Sequence, residues 1–279
     1  MADKTMPRTE PIRLEKIKEK LQARLIGETI LYFSEAASTN DLAKEMAATG
    51  AKEGTVIIAE TQTSGKGRLG REWASPKGGI WFSTILRPKL MPNNIPKLTL
   101  MTSLAVAKTI SQLFNLKTEV KWPNDVLINA KKVCGILTEA NTRGNITNFV
   151  VVGIGINANI ELYSLSKQLG ANATSLKHEL KREIDRERFL RVLLEKMEHY
   201  YITLTERKFK PILREWKSLC SLLGSYVEVI SWKEKIIGLA TDVNEKGALI
   251  IKLRNGTLRK VLSGNVSLKR SKGLRHQKQ

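Results

Sequence analysis

Two periods alternate along this chain. Leu14, Ile17, Leu21 and Leu25 recur at helical spacing from Pro11 onward, with Gly27 as the stop. The same period returns over Ile95 to Phe114, where Leu98, Met101, Ala105 and Leu113 fall along one side, and over Arg186 to Phe209 and Ile212 to Leu223. Between these lie short β-rich runs that read as strands: Tyr32-Phe33, residues 54–60, Ile80 to Leu86, Glu119 to Trp122 with Pro123 as breaker, and Asn148 to Ile156. Val126-Leu127-Ile128 and Val133 to Leu137 flank Asn129-Ala130-Lys131, a tight hairpin turn. Ser38-Thr39-Asn40-Asp41 opens a helix, a Ser with Asp three residues on resembling a capping box. Leu42 and Met46 share its face and Gly50 ends it. Strands in hairpins followed by helices predict an α+β fold.

Gly224 marks a boundary. Val227 to Ile230, Ile236 to Val243, Ala248 to Leu253 and Thr257 to Leu262 are short strands, with Val266-Ser267-Leu268 beyond them. The turns between them are Trp232-Lys233-Glu234, Glu245-Lys246-Gly247 and Asn255-Gly256. Four or five strands in so short a stretch predict a small SH3-like β-barrel.

Composition narrows the partners. The 279 residues carry 47 Lys+Arg against 27 Asp+Glu, a net charge of +20. Such a surface attracts nucleic acid, an anionic membrane, nucleotide phosphates or an acidic protein, and charge alone does not choose. The two cysteines, Cys134 and Cys220, are far apart and without histidine companions. Neither a disulfide framework nor a zinc site is encoded, which fits a reducing compartment. No apolar run approaches the ~20 residues of a membrane span. The first residues include Asp3, Glu10 and Glu15 and no apolar core of a signal peptide. A soluble, cytoplasmic protein is expected, with residues 1–10 disordered and a solvated basic tail at 271–279.

The candidate chemistry sits first in Thr63 to Arg71, Thr-Ser-Gly-Lys-Gly-Arg-Leu-Gly-Arg, directly after the strand Val56-Ile57-Ile58-Ala59. Glycines let the backbone approach a ligand, and successive N–H groups beside Lys and Arg form an anion-binding concavity. By itself the stretch reads equally as a basic surface loop. Its spacing is neither that of a Walker A loop nor that of a Rossmann Gly-x-Gly-x-x-Gly. A second stretch is Lys121-Trp122-Pro123-Asn124-Asp125, followed by Lys132 and Gly135. A third is Gly153-Ile154-Gly155-Ile156-Asn157.

With Ser38-Thr39-Asn40, these blocks resemble, in order and spacing, the biotin protein ligases, over about residues 28 to 270. The resemblance implies a mixed, mostly antiparallel sheet with helices over 28–223 as the catalytic domain, and the small barrel over 224–270. It implies activation of biotin by ATP to biotinyl-5′-AMP, then transfer to one lysine of a biotin carrier domain on an acetyl-CoA carboxylase-type enzyme. Arg68 and Lys132 match the family's catalytic cations, which hold the adenylate and stabilise charge in both half-reactions. Ser38, Thr39 and Gln62 match polar contacts to the ureido ring, and Asn40, Lys66, Gly67 and Gly135 complete the biotin side. Arg71, Trp73, Asn124, Asp125, Asn157 and Lys269 match the nucleotide side. Asp125 either holds a Mg²⁺ ion, expected from ATP chemistry, or orients Lys132.

Two departures stand out. Lys66 occupies a position where the family often has arginine, which keeps the charge and loses the planar fork. The family's larger members begin with a DNA-binding winged helix, whereas here residues 1–27 supply one short helix, so no operator-binding role is expected. A homodimer is also seen in the family, and the run Phe149 to Ile156 reads either as a contact or as a core strand. Three alternatives stay in view. A lipoate or octanoate ligase would need an Arg-Arg-x-Ser-Gly-Gly-Gly block and a site histidine, yet His178, His199 and His276 lie far from the motifs. A basic nucleic-acid-binding module would need aromatic interleaving, and the C-terminal strands offer only Tyr226 and Trp232. An inactive biotin-binding scaffold is at odds with the intact Arg68 and Lys132.

Overall fold

The computed structural model describes residues 10–161, 172–206, 208–231 and 234–269. The readings for residues 1–9, for the turn at 232–233, for His276 and for the tail 271–279 lie outside the described residues. Seven strands form the main sheet: β1 (Ile30–Phe33), β2 (Val56–Ala59), β3 (Ile80–Leu86), β4 (Thr118–Lys121), β5 (Asp125–Ile128), β6 (Lys131–Arg143) and β7 (Ile146–Ile156). Their order is β1-β2-β3-β7-β6-β5-β4. Only β1 and β2 run parallel; the other pairs are antiparallel. The helices are α1 (Leu14–Lys18), α2 (Thr39–Ala48), α3 (Pro96–Phe114), α4 (Leu176–Leu180), α5 (Arg186–Thr205) and α6 (Phe209–Ser218). This is the α+β architecture expected.

β7 shows how the sheet builds a site. It is hydrogen-bonded to β3 on one side and β6 on the other, so the run Phe149 to Ile156 is a core strand. Val150, Val152, Ile154 and Ile156 enter the main core beside apolar residues of α3 and α5. Phe149 and Val151 face the other way, packing with Ala43 and Ala47 of α2. Side chains alternate along a strand, so Gly153 and Gly155 continue this second face. The apolar layer under α2 thus runs out into bare backbone at the helix's N-terminal end.

Three local expectations are corrected. The hairpin turn is two residues: Asn129 and Ala130 both have positive φ (50° and 60°), and Lys131 already pairs with Ile128 in β6. The first helix stops at Lys18, although Leu21 and Leu25 keep the spacing. Beyond it the backbone has better acceptors than its own carbonyls: Gln22 N–H donates to Glu195, and Arg24, Leu25 and Ile26 donate to the Glu198 carboxylate of α5 at 2.9, 2.6 and 2.7 Å. Hydrogen bonds to a charged group are worth ~1.5–3 kcal/mol each, enough to override a helical period. Phe209 begins α6 instead of ending α5, because Pro211 lacks an N–H and is tolerated in a helix only within its first turn.

The second sheet holds β8 (Tyr226–Ile230), β9 (Lys235–Val243), β10 (Leu249–Lys252), β11 (Leu258–Val261) and β12 (Asn265–Leu268), all antiparallel in the order β11-β10-β9-β8-β12. Val227, Val229, Ala240, Leu249 and Ile251 form its buried side. It is pinned to the main body near the Lys121–Asp125 block: the indole of Trp122 donates to the Gly247 carbonyl at 2.9 Å. No helix among the described residues is long and apolar enough to cross a membrane.

Candidate active site

The cleft opens where α2 begins. Ser38 caps the helix, its hydroxyl accepting from Asp41 N–H at 3.4 Å, and this fixes Thr39 and Asn40 at the mouth. Thr39 donates to Gln62 Oε1 through both its N–H and its hydroxyl (2.8 and 3.1 Å), and Gln62 Nε2 donates to Ser75 at 2.7 Å. Ser83 on β3 donates to Thr39 Oγ1 and Asn40 Oδ1 at 2.8 and 2.6 Å, while Asn40 Nδ2 donates to Glu139 at 2.7 Å. A methyl group on Gly153 would collide with Asn40, which explains that glycine. This end of the cleft is neutral, polar and held in one arrangement.

Its floor is the cross-strand pair Gly135–Gly155. The indole of Trp73 lies against both glycines: a Cβ on Gly135 would come within 2.8 Å of the ring, and one on Gly155 would overlap Nε1. Trp73 is edge-on to Trp81 with centroids 6.4 Å apart. Its buried Nε1–H finds no acceptor among the described residues, a cost of ~1–3 kcal/mol that a bound acceptor would relieve.

The other end is cationic. Asp125 pairs with Gly135 and Val126 with Cys134, but Leu127 pairs with Lys132, so Val133 is an extra residue in β6. Without this bulge Lys132 would lie on the opposite face; with it, Val133 and Cys134 both enter the core and Lys132 joins Gly135 over the cleft. Lys132 Nζ stands 2.6 Å from Asp125 Oδ1 and 4.9 Å from the Trp73 ring centroid. Burial pushes the Cys134 thiol up, making it an inert core residue.

Opposite stands the glycine loop, a small hairpin closed by Trp73 N–H to Gly65 C=O at 2.8 Å and Gly67 N–H to Arg71 C=O at 2.7 Å. At its tip Leu69 and Gly70 take positive φ (58° and 72°), turning Arg68 inward. Arg68 donates to Asn124 Oδ1 at 3.1 Å and to the Gly264 carbonyl of the second sheet at 3.4 Å. Burial lowers its pKa, with Asp125 opposing and Arg71 adding to the shift. Asn124 is itself braced by donating to the Ile136 carbonyl at 2.9 Å.

The predicted biotin-side residues Ser38, Thr39, Asn40, Gln62, Lys66, Gly67, Arg68, Lys132 and Gly135 all line this one cleft. Of the nucleotide-side residues, Trp73 and Asn124 join them, and Arg71 and Asp125 line the adjoining recess with Lys121 and Asn265. Two lie elsewhere. Asn157 is fully buried below the floor, its Nδ2 donating to the Thr174 carbonyl at 2.9 Å, and Lys269 is tied to Glu228 at 3.0 Å on the second sheet. Among the described residues no three metal-ligating side chains gather. Asp125 is already engaged by Lys132, so the residues present form no protein-built metal cage; a Mg²⁺ ion would depend on nucleotide phosphates for most of its ligands. Ser75, Ser83 and Glu139 were missed from sequence, where single polar residues in strands carry no mark. The glycine spacing 153–155 was a usable signal, since two glycines on one strand face announce a close neighbour.

The fold and this cleft define a protein ligase of the biotin/lipoate type. The model of the biotin/lipoate A/B protein ligase family matches residues 32–157, and that of the biotin protein ligase C-terminal domain matches residues 222–269. The bifunctional ligase/repressor BirA of Bacillus subtilis is 34% identical over 254 residues, covering 91% of this chain and 78% of that protein. The biotin–[acetyl-CoA-carboxylase] ligase of Paracoccus denitrificans is 30% identical over 199 residues, covering 70% of this chain and 83% of that protein. The biotin protein ligase of Aquifex aeolicus, solved in complex with biotin and ATP, superposes with a TM-score of 0.75 at 32% identity, covering 88% of this chain and all of that one. The chain belongs to the biotin/lipoate A/B protein ligase family. Within it, the C-terminal sheet places it with the biotin protein ligases.

Proposed function

We propose that the protein couples biotin to ATP and passes it to a lysine of a biotin carrier domain on an acetyl-CoA carboxylase-type enzyme. The observation that carries this reading is the polarity of the cleft. A neutral hydrogen-bonding end (Ser38, Thr39, Gln62) and a cationic end (Arg68, Lys132) share one glycine floor. A neutral ureido ring fits the first and a carboxylate the second.

In the first half-reaction a carboxylate oxygen attacks the α-phosphorus of ATP and pyrophosphate leaves. Two anions must meet, and Arg68 and Lys132 offset their repulsion with charges already fixed in place. Lys132 is oriented by Asp125, which keeps its ammonium over the floor. In the second half-reaction the carrier's lysine amine attacks the acyl carbon, the C–O bond to AMP breaks, and the same cations hold the leaving phosphate. Bound Mg²⁺ would neutralise phosphate charge. The relatives named for biotin, and the neighbour that holds biotin and ATP, support this substrate pair over lipoate.

The test is biotin-dependent exchange of pyrophosphate into ATP, with lipoate and octanoate as competing acids. Exchange with biotin that falls at least a hundredfold in Lys132→Ala is expected, the scale on which one charge-stabilising donor acts. Exchange supported by lipoate and not biotin would overturn the assignment.

A further inference from the structure

Lys66 does something in this chain that its match to a ligand-binding position does not foresee. Its ammonium lies 2.6 Å from Asp41 Oδ2, in the first turn of α2. The other oxygen of Asp41 holds Lys44 at 3.0 Å, and Lys44 also holds Glu139 at 2.8 Å. The pair is therefore seated in the same polar frame that fixes Asn40. Burial pushes the Asp41 carboxyl up, and hydrogen bonds from Lys66 and Lys44 more than offset it, leaving it below its ordinary value.

The position of the pair gives it a task. Among the described residues, the loop from Gly65 to Glu72 is tied to the rest of the chain by two side chains. Arg68 reaches Asn124 and Gly264, and Lys66 reaches Asp41. Both bonds of Arg68 to the protein run through Nη1, and the chemistry above draws its charge onto ligand oxygens. The tie through Lys66 asks nothing of the ligand and holds whichever oxygens Arg68 meets. We infer that Asp41 and Lys66 form a latch that keeps the glycine loop closed over the cleft while Arg68 engages the ligand. Asp41 is then a positioning residue that slows loss of the acyl-adenylate between the two half-reactions. That last clause rests on the proposed function; the latch does not.

The experiment compares wild type, Asp41→Asn and Asp41→Glu, first by hydrogen exchange of the loop amides without ligand. Both partners are partly exposed, so the tie is worth at most ~1 kcal/mol, which is about fivefold in loop opening. Exchange about three- to fivefold faster in Asp41→Asn is expected, with amides of α2 unchanged and Asp41→Glu largely restored. The second readout is release of preformed biotinyl-5′-AMP, which should quicken by the same factor. Raised salt should bring wild type toward the mutant. Equal loop exchange in wild type and Asp41→Asn overturns the latch, as does faster exchange spread through α2. Faster loop exchange with unchanged release overturns the retention role. A wild type that neither binds biotinyl-5′-AMP nor exchanges pyrophosphate sinks the functional reading instead, and the ligand-free arm still decides the latch.

Discussion

Gly155 offers a test in which the sign of an effect must change. A Cβ there would sit 2.7 Å from Cε2 of Trp73, closer than real Cβ contacts come. The ring cannot swing away freely: Gly135 lies beneath it, Trp81 stands edge-on, and Lys132 stands over its face. Overpacking of this kind costs ~1–3 kcal/mol. Alanine gains ~0.4–1 kcal/mol back by stiffening the unfolded chain, since Gly155 is not among the positive-φ residues. Gly155→Ala should therefore destabilise by about 1–2 kcal/mol, measured as the shift in urea midpoint by far-ultraviolet circular dichroism at constant slope. In a Trp73→Ala background, already weakened by ~3–5 kcal/mol, the collision is gone and the same substitution should stabilise by ~0.4–1 kcal/mol. Their difference, above ~1 kcal/mol, exceeds the ~0.5 kcal/mol within which independent sites add. Gly155→Ala should also weaken ligand binding, because the displaced ring borders the cleft. An equal penalty in both backgrounds would mean that the glycine does not exist to seat the indole.

Two further outcomes follow from the buried pair under β2. Arg186 donates to Glu60 at 2.9 Å, both nearly inaccessible, and Arg186→Met should cost ~3–5 kcal/mol by stranding the Glu60 charge; adding Glu60→Leu should recover most of it in the same urea experiment. Burial, and then the Glu60 charge, pushes the Tyr32 hydroxyl up to about 12. A raised phenol pKa contributes stability that is whole below about 10 and lost as pH rises toward 12, so wild type should lose stability across that window more steeply than Tyr32→Phe.

What could be read from sequence was whatever neighbours in the chain decide. The Ser38 cap, the β5–β6 hairpin and the glycine loop follow from turn and cap chemistry over a few residues, and the order of blocks brought Arg68 and Lys132 to one site. What could not be read depends on distant partners. No local feature shows that Val133 is an extra residue turned into the core, which brings Lys132 to the cleft face. Leu21 and Leu25 keep a helical period because they pack on the body, while their backbone bonds are dictated by glutamates far along the chain. Asp41 looks like half of a capping box until the loop folds Lys66 onto it. Asn157 resembles a ligand contact by position, yet burial makes it a strut between β7 and the segment at Thr174.

Those glutamates also impose a timetable. The backbone of residues 22–26 finds its acceptors on Glu195 and Glu198, some 172 to 174 positions later. Arg186 likewise holds the Glu10 carbonyl. During synthesis the backbone of residues 22–26 lacks these acceptors until α5 has left the ribosome. At ~5–20 residues per second, that wait is on the order of ten to thirty seconds. This segment precedes the main sheet in the chain and is thus fastened only after the last strand of that sheet has been made.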